Sequence, residues 1–595
     1  MRLFLAALLA TAATPALATS VHNYDDLALS ADGKIVASVE SGSGDHDPIV
    51  ERSASDGRII ATIDPCADCA YSDLTFGGDG RLAFLARNGK GVTLETARGN
   101  DLHTVAAIAG IASAPRFSPD GKRIALLVTL GAQKEAGATQ PGVRQIGEIG
   151  EHNDERRIAV FDVAGTLAAD AVKPVSPAGR YIYEYDWTPD GRGLVASTAL
   201  GNGDDNWWVA TLDAIDATTG AVRQIAKPTT QLNFPRVSPD GKTVAYIGGL
   251  MSDSGSVGGD IYTVPFAGGT PVDITKGSKT TNTSLFWLND GLHTTALAGD
   301  TMQVTALSTD GKATPLWRRA ASLSAADGLV AFSANGAVVA SVVEDFEHAP
   351  AIFAGPVSAP RQITHDNESI APVVKAQSVN WTNEGFTVQG WLLSARDADP
   401  GKKVPMITVV HGGPAAASMP YFASQGLNVA LIKAGYDVFM PNPRGSYGQG
   451  EAFVEANKRD FGGGDLRDIL AGIDAVEKIA PIDDARLGLM GGSYGGFMAM
   501  WANTQTNRFK ALVAAAGLSN WISYYGTNGI DQWMLPFFGK TMYDDPAAYN
   551  AVSAVNFAKQ AHTPTFIYVG ERDIEVPPTQ SVEWWHALKD MNVPV

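Results

Sequence analysis

A turn ending in Asp-Gly or Asn-Gly recurs through the first part of the chain, with its pre-glycine residue at Asp32, Asp79, Asp120, Asp190, Asp240, Asp290 and Asn335. Each turn is followed by an apolar, β-rich run, and such dipeptides between hydrophobic runs are the strongest short-range signal for a hairpin. The steps between them run from 41 to 50 residues, except for one of 70 between Asp120 and Asp190. A near-constant period of this length predicts a β-propeller of seven four-stranded blades. An irregular β-sandwich would not repeat its turn chemistry at such an interval. The long step is expected to hold a loop insertion at about residues 131–154, rich in Gly, Gln and Glu, on one propeller face.

A chain of 595 residues exceeds what one hydrophobic core supports, so more than one domain is expected. The net charge of −18 excludes nucleic acid and anionic membrane surfaces as partners, because both repel an acidic protein. Arg2, the apolar run Leu3–Leu9 and the small-x-small site Ala16-Leu17-Ala18 read as a signal peptide over residues 1–18, cleaved near Ala18. No later segment reaches the ~20 apolar residues of a spanning helix. The expectation is therefore a secreted or periplasmic protein without membrane insertion, its oligomeric state open to a homo-oligomer. Cys66 and Cys69, the two cysteines, stand in Asp64-Pro65-Cys66-Ala67-Asp68-Cys69. They lack the further ligands that a structural zinc site needs, and an oxidising compartment favours a small loop-closing disulfide.

After about residue 370 the texture changes, which divides the mature chain into a propeller over 19–370 and an α/β domain over 371–595. Met406–Val410, Asp437–Met440, Leu487–Met490 and Thr565–Val569 read as short apolar strands. Between Asp465 and Ala480, the residues Leu466, Ile469, Leu470, Ile473, Val476 and Ile479 fall at helical spacing on one face. Alternating strands and helices predict a mostly parallel sheet covered on both sides, with functional residues at the strands' carboxyl ends.

The strand Leu487–Met490 runs into Gly491-Gly492-Ser493-Tyr494-Gly495, and a helix-like run follows. Strand, turn and helix are the setting that presents a nucleophilic serine above an α/β-hydrolase sheet, which makes Ser493 the candidate nucleophile. Upstream, His411-Gly412-Gly413-Pro414 follows a strand, and its glycines leave backbone N–H groups free to face an oxyanion, with Tyr494 N–H as second donor. His411, ahead of the nucleophile in that loop, reads as structural. Asp573, just past the strand Thr565–Val569, is the candidate triad acid, flanked by Glu571 and Glu575 as rivals.

Together these stretches, with Asn442-Pro443-Arg444-Gly445-Ser446 and Gly570-Glu571-Arg572-Asp573, resemble the prolyl oligopeptidase family of serine peptidases, in particular its acylaminoacyl-peptidase and dipeptidyl-peptidase 5-like branch. The resemblance implies a propeller that caps the active site and admits short peptides, with amide cleavage through an acyl-enzyme on Ser493. It also aligns Asp573 with the triad acid and Gly413 and Tyr494 with the oxyanion donors. Trp521, Tyr524, Tyr525, Trp533, Phe537 and Phe538 lie where the family builds its S1 pocket. Family members commonly carry Arg two residues after the triad acid. Here that position is Glu575, expected to disfavour acidic substrate ends and attract a free amino terminus.

In α/β-hydrolases the triad histidine follows the acid in the chain. The candidate after Asp573 is His586, in the segment Ser581–Asp590, where Val582, Trp585 and Leu588 are expected to form the buried helix face and His586 to be structural. The expectation is that the histidine lies beyond Val595, with the α/β-hydrolase domain lacking its last strand and helix and these 595 residues inactive. The function read is a serine exopeptidase or oligopeptidase. Its alternatives are a carboxylesterase with the same triad and a non-catalytic, propeller-based binding protein. No metal or phosphate-binding motif is present, so no cofactor is expected.

Overall fold

The computed structural model describes residues 21–41, 46–89, 91–99, 101–132, 154–201, 204–253 and 255–595. The expected signal peptide and most of the 131–154 insertion lie outside the described residues. Seven antiparallel sheets follow in chain order from Tyr24 to Gln362, one per blade, and an eighth, mixed sheet begins at Val374. Six blades have four or five strands; the third shows three among the described residues. The first strands of successive blades, such as Tyr24–Leu29 against Ala70–Phe76 and Arg180–Trp187 against Gln231–Val237, pack on one another. They therefore form the narrow centre of the ring. Separate apolar clusters join neighbouring blades, and Leu27 and Val36 of blade 1 meet Ala340 and Ile352 of blade 7 to close it.

In blades 1 to 6 the Asp-Gly turn joins the first and second strands, and in blade 7 the Asn335-Gly336 turn joins the second, Ala331–Phe332, to the third, Val338–Glu344. Blade 6 keeps a two-residue hairpin, Asn289-Asp290 between the paired Leu288 and Gly291, and the other turns are wider. In blade 5 the Gly241 N–H donates to the Ser238 carbonyl at 2.8 Å, the Ser238 hydroxyl donates to Asp240 at 2.6 Å, and Lys242 and Thr243 N–H groups donate to the Ser238 hydroxyl. Gly241 takes the left-handed φ of +73° that closes the loop.

The second domain has strands β1 (Val374–Asn383), β2 (Phe386–Ala395), β3 (Val404–Val410), β4 (Asp437–Asn442), β5 (Ile482–Gly492), β6 (Ala511–Ala515) and β7 (Thr565–Tyr568). Their order is β1-β2-β4-β3-β5-β6-β7, antiparallel over the first three and parallel from β4 onwards. The helices that matter here are α1 (Gly464–Glu477), α2 (Tyr494–Gln505) and α3 (Pro578–Asp590). Buried Leu466, Ile469, Ile473 and Val476 carry α1 onto the sheet. Ile479, expected on that face, lies past the helix end and is exposed. In α3 the expected face is also corrected: Gln580, Ser581, Trp584 and Leu588 are buried, whereas Val582 and Trp585 point outward. No helix among the described residues is long and apolar enough to cross a membrane.

The domains meet through the loops after β3 and β4. The Tyr447 hydroxyl lies 2.7 Å from the Met251 carbonyl and 2.9 Å from that of Ser256, Gly448 N–H donates to Thr281, and the Ser256 hydroxyl donates to the Ala415 carbonyl. From blade 4, Trp208 packs against the hydrolase core. These contacts gather at the starts of the propeller's inner strands, so the hydrolase sits over one end of the ring. Cys66 and Cys69 are joined by a disulfide between blades 1 and 2.

Candidate active site

β5 ends at Gly492 and α2 begins at Tyr494, which leaves Ser493 alone in the turn with φ 55° and ψ −118°. A non-glycine residue with positive φ is uncommon, and here the turn is so sharp that its neighbours must be glycine. A Cβ on Gly495 would stand 2.1 Å from the Val410 carbonyl oxygen, and one on Gly491 would stand 2.5 Å from the same atom. The Ser493 N–H donates to the Ala515 carbonyl at 3.0 Å, and Phe497 N–H donates to the Ser493 carbonyl at 2.9 Å. The Ser493 side chain is thereby held at the carboxyl end of the central strand.

The His411-Gly412-Gly413-Pro414 loop lies directly against it. A Cβ on Gly412 would be 3.9 Å from Ser493 Oγ. Gly413 has φ 118° and precedes a cis peptide bond to Pro414. Its N–H finds no acceptor among the described residues. That of Tyr494 opens α2, where the first turn leaves N–H groups without intrahelical acceptors. His411 does not turn to the serine. Its Nδ1–H donates to the Gly412 carbonyl at 2.6 Å, and its Nε2 accepts from the Ser446 hydroxyl at 2.9 Å. Burial pushes the imidazole pKa down, so the ring stays neutral and ties two loops together.

Asp573 lies in the loop after β7 and is buried. One carboxylate oxygen accepts the N–H groups of Glu575 at 3.1 Å and Val576 at 2.8 Å; the other has no partner among the described residues. Burial raises the carboxyl pKa, and the two N–H groups hold it back. Glu575, half-buried, sits beside it in the same turn. His586 is exposed on α3, its ring 4.7 Å from that of Trp585. No histidine among the described residues hydrogen-bonds to Ser493 or Asp573.

Trp521, Tyr524 and Tyr525 are all buried. Trp521 stacks on Phe461 with ring centroids 5.0 Å apart, within a cluster that includes Phe497, Trp533, Phe537 and Phe538. Tyr524 stands close enough to the acid loop to feel its charges. Its hydroxyl accepts from Trp533 Nε1 at 3.1 Å, and burial followed by the charges of Glu575 and Asp573 pushes its pKa upward. The segment is pinned there by Gly529 N–H donating to the Ile574 carbonyl at 2.8 Å.

Sequence reasoning missed Asp465. Its carboxylate accepts the Tyr494 hydroxyl at 2.6 Å from the first turn of α1, fixing the residue after the nucleophile. It also missed Asp468, which takes the N–H, Nε and Nη2 of Arg444 at 2.9, 2.9 and 2.7 Å and so braces the Asn-Pro-Arg-Gly loop. Nothing in the spacing of either pair announces the contact.

A serine at a strand-to-helix elbow, an opposed glycine loop and a carboxylate after a later strand define an α/β-hydrolase site, here under a seven-bladed propeller. Residues 423–595, most of the hydrolase domain, match the model of the prolyl oligopeptidase family. The uncharacterized peptidase YuxL of Bacillus subtilis (strain 168) is 38% identical over 216 residues, 35% of this chain and 32% of its own length. Dipeptidyl-peptidase 5 of Porphyromonas gingivalis is 25% identical over 436 residues, 69% of this chain and 62% of its own. The chain thus spans less than two thirds of either relative. Among solved structures, the acylaminoacyl peptidase of Pyrococcus horikoshii superposes with a TM-score of 0.76 at 19% identity, covering 96% of this chain and 90% of that one. That likeness shows the shared fold.

Proposed function

We propose that this protein is a serine peptidase that hydrolyses short peptides through an acyl-enzyme on Ser493. The observation that carries the reading is the strained elbow of Ser493 set directly against the Gly412-Gly413 loop. In this scheme Ser493 Oγ attacks the scissile carbonyl and loses its proton to a base. The oxyanion settles between the N–H groups of Gly413 and Tyr494, and collapse expels the amine with that proton. Water then hydrolyses the ester by the same route. Asp573 supports the scheme because its second carboxylate oxygen is left to accept an imidazole N–H. Glu575 adds a carboxylate beside the site, suited to a substrate's free amino terminus. The propeller limits access, as its bonds to Ala415 and Tyr447 press it onto the loop that follows the oxyanion donors.

The test is labelling by a fluorophosphonate probe together with turnover of aminoacyl anilides. Where an imidazole completes the site on Asp573, labelling and anilide cleavage are expected, with both lost in Ser493→Ala. Probe reaction that survives Ser493→Ala, or none in the parent, overturns the reading. The unengaged Ser493 hydroxyl favours a propeller-based binding protein as the second reading in the latter case. Cleavage of p-nitrophenyl esters without anilides would instead point to an esterase.

A further inference from the structure

The propeller's axis is not an open tube. Asp327 lies in the loop between Ser322–Ser324 and Ala331–Phe332 of blade 7. Its carboxylate accepts Nη1 and Nη2 of Arg116, from blade 3, at 2.8 Å each. It also accepts Nη2 of Arg236, from blade 5, at 3.2 and 3.1 Å. In a ring of seven, blade 7 touches only blades 6 and 1. An ion pair from blade 7 to blades 3 and 5 must therefore cross the lumen. Blade 4 fills the gap between the two arginines. Tyr185 places its ring centroid 5.9 Å from the Arg116 guanidinium and donates its hydroxyl to the Ala114 carbonyl, and Glu184 accepts the Phe234 N–H.

The loop that delivers Asp327 is shaped for the purpose. Ala326 N–H donates to the Leu27 carbonyl of blade 1 at 2.9 Å, and Ala325 N–H donates to the Gly328 carbonyl at 3.2 Å. Gly328 has φ +82°, and a Cβ there would stand 2.8 Å from Ser284 Cβ of blade 6. The loop is thus held between its two neighbouring blades with Asp327 at the tip. That side chain remains 45% exposed deep inside the ring, as a group facing a wet lumen would. Its position along the axis also matters. Arg116 and Arg236 are each the penultimate residue of an inner strand, next to the turns at Ser118 and Ser238. The hydrolase bonds to the opposite ends of inner strands, at Thr281 and Ser322. The knot therefore stands at the end of the channel farther from Ser493.

We propose that Asp327 is a specificity-determining residue: by bridging Arg116 and Arg236 it closes the axial channel to peptide chains, so that substrates reach Ser493 by another path and long ones are excluded. This rests on the reading of Ser493 as nucleophile, and it is tested first without turnover. In Ser493→Cys the new thiol is the one free cysteine, because Cys66 and Cys69 are bonded to each other. Its labelling rate is measured with N-ethylmaleimide and with a maleimide carried on a flexible Gly-Ser peptide of about ten residues. Adding Asp327→Asn should raise the rate of the peptide probe at least about fivefold and leave that of N-ethylmaleimide unchanged, as expected for a steric barrier to encounter. Arg116→Gln with Arg236→Gln removes the same bridge from the other side and should act alike, which guards against one variant failing to fold. Unchanged peptide-probe rates in the folded variants overturn the proposal, as does a parent labelled equally fast by both probes. With Ser493 restored, Asp327→Asn should raise kcat/KM for long peptides relative to dipeptidyl anilides. If the parent shows no turnover, the peptidase reading fails while the labelling result still decides the barrier.

Discussion

Ser493 holds a sparsely populated backbone conformation, φ 55° and ψ −118°, that costs a non-glycine residue roughly 1–3 kcal/mol. The surrounding structure keeps it there because Gly491 and Gly495 let the Val410 carbonyl approach where any Cβ would collide. Gly495→Ala should therefore destabilise the hydrolase domain by about 2 kcal/mol or more, read as a lower midpoint in urea followed by tryptophan fluorescence. Asp465 makes a pH prediction. Burial, opposed by the Tyr494 hydroxyl and the Gly462 and Leu466 N–H groups, raises its pKa to about 6. The folded state then holds a proton between pH about 4 and 6 that the unfolded state has released, so this group makes stability fall as pH rises through that window. The full effect is on the order of 3 kcal/mol. Asp465→Asn does not titrate, so its melting temperature relative to the parent should climb from pH 4 to pH 7. A pH-independent difference would show that Asp465 is already ionised at pH 4.

At the level of elements, α3 shows how rotation about a helix axis decides the role of neighbouring residues. Trp584 is fully buried and Trp585 lies outside, with Lys589 Nζ 4.6 Å from its ring centroid. Trp584→Ala should cost about 3–5 kcal/mol, whereas Trp585→Ala should change stability by about 1 kcal/mol or less, both measurable by chemical denaturation. The same rotation leaves His586 outward and away from the acid that precedes it in the chain. In the blades, the serine and aspartate of each Ser-x-Asp-Gly turn satisfy the loop's own N–H groups, which is why the turn chemistry repeats while the strands around it vary.

For the whole molecule, the propeller and hydrolase share one apolar cluster, in which Leu250, Met251, Leu297 and Leu323 of the propeller join the hydrolase core, and polar contacts pin that seam in register. Tyr447 is buried with its hydroxyl shared between Met251 and Ser256 carbonyls. Tyr447→Phe leaves those acceptors short of a donor and should weaken the docking by about 1–3 kcal/mol, seen as faster limited proteolysis between the domains with little change in the melting of either. The same interface reaches the glycine loop: Tyr447 N–H donates to the Ala416 carbonyl, two residues beyond Pro414.

The turns and the elbow were legible in the sequence because each is a local device. Asp-Gly at a fixed interval specifies a hairpin wherever it falls, and glycines around Ser493 and Gly413 mark places where backbone must pass close to backbone. Much of the site was not legible, because it depends on pairs distant in the chain. Arg116 meets Asp327 across 211 residues and Arg236 meets it across 91, and only closure of seven blades into a ring brings them to one axis. Asp465 reaches Tyr494 because α1 packs on the sheet with one particular face. The sequence by itself thus determined the repeat, the architecture and the identity of the candidate nucleophile, since these follow from backbone rules read over a few residues. The tertiary structure decided which tryptophan of α3 is buried, that His411 serves its loop, and that the propeller's axis is barred, since each depends on how whole elements are placed against one another.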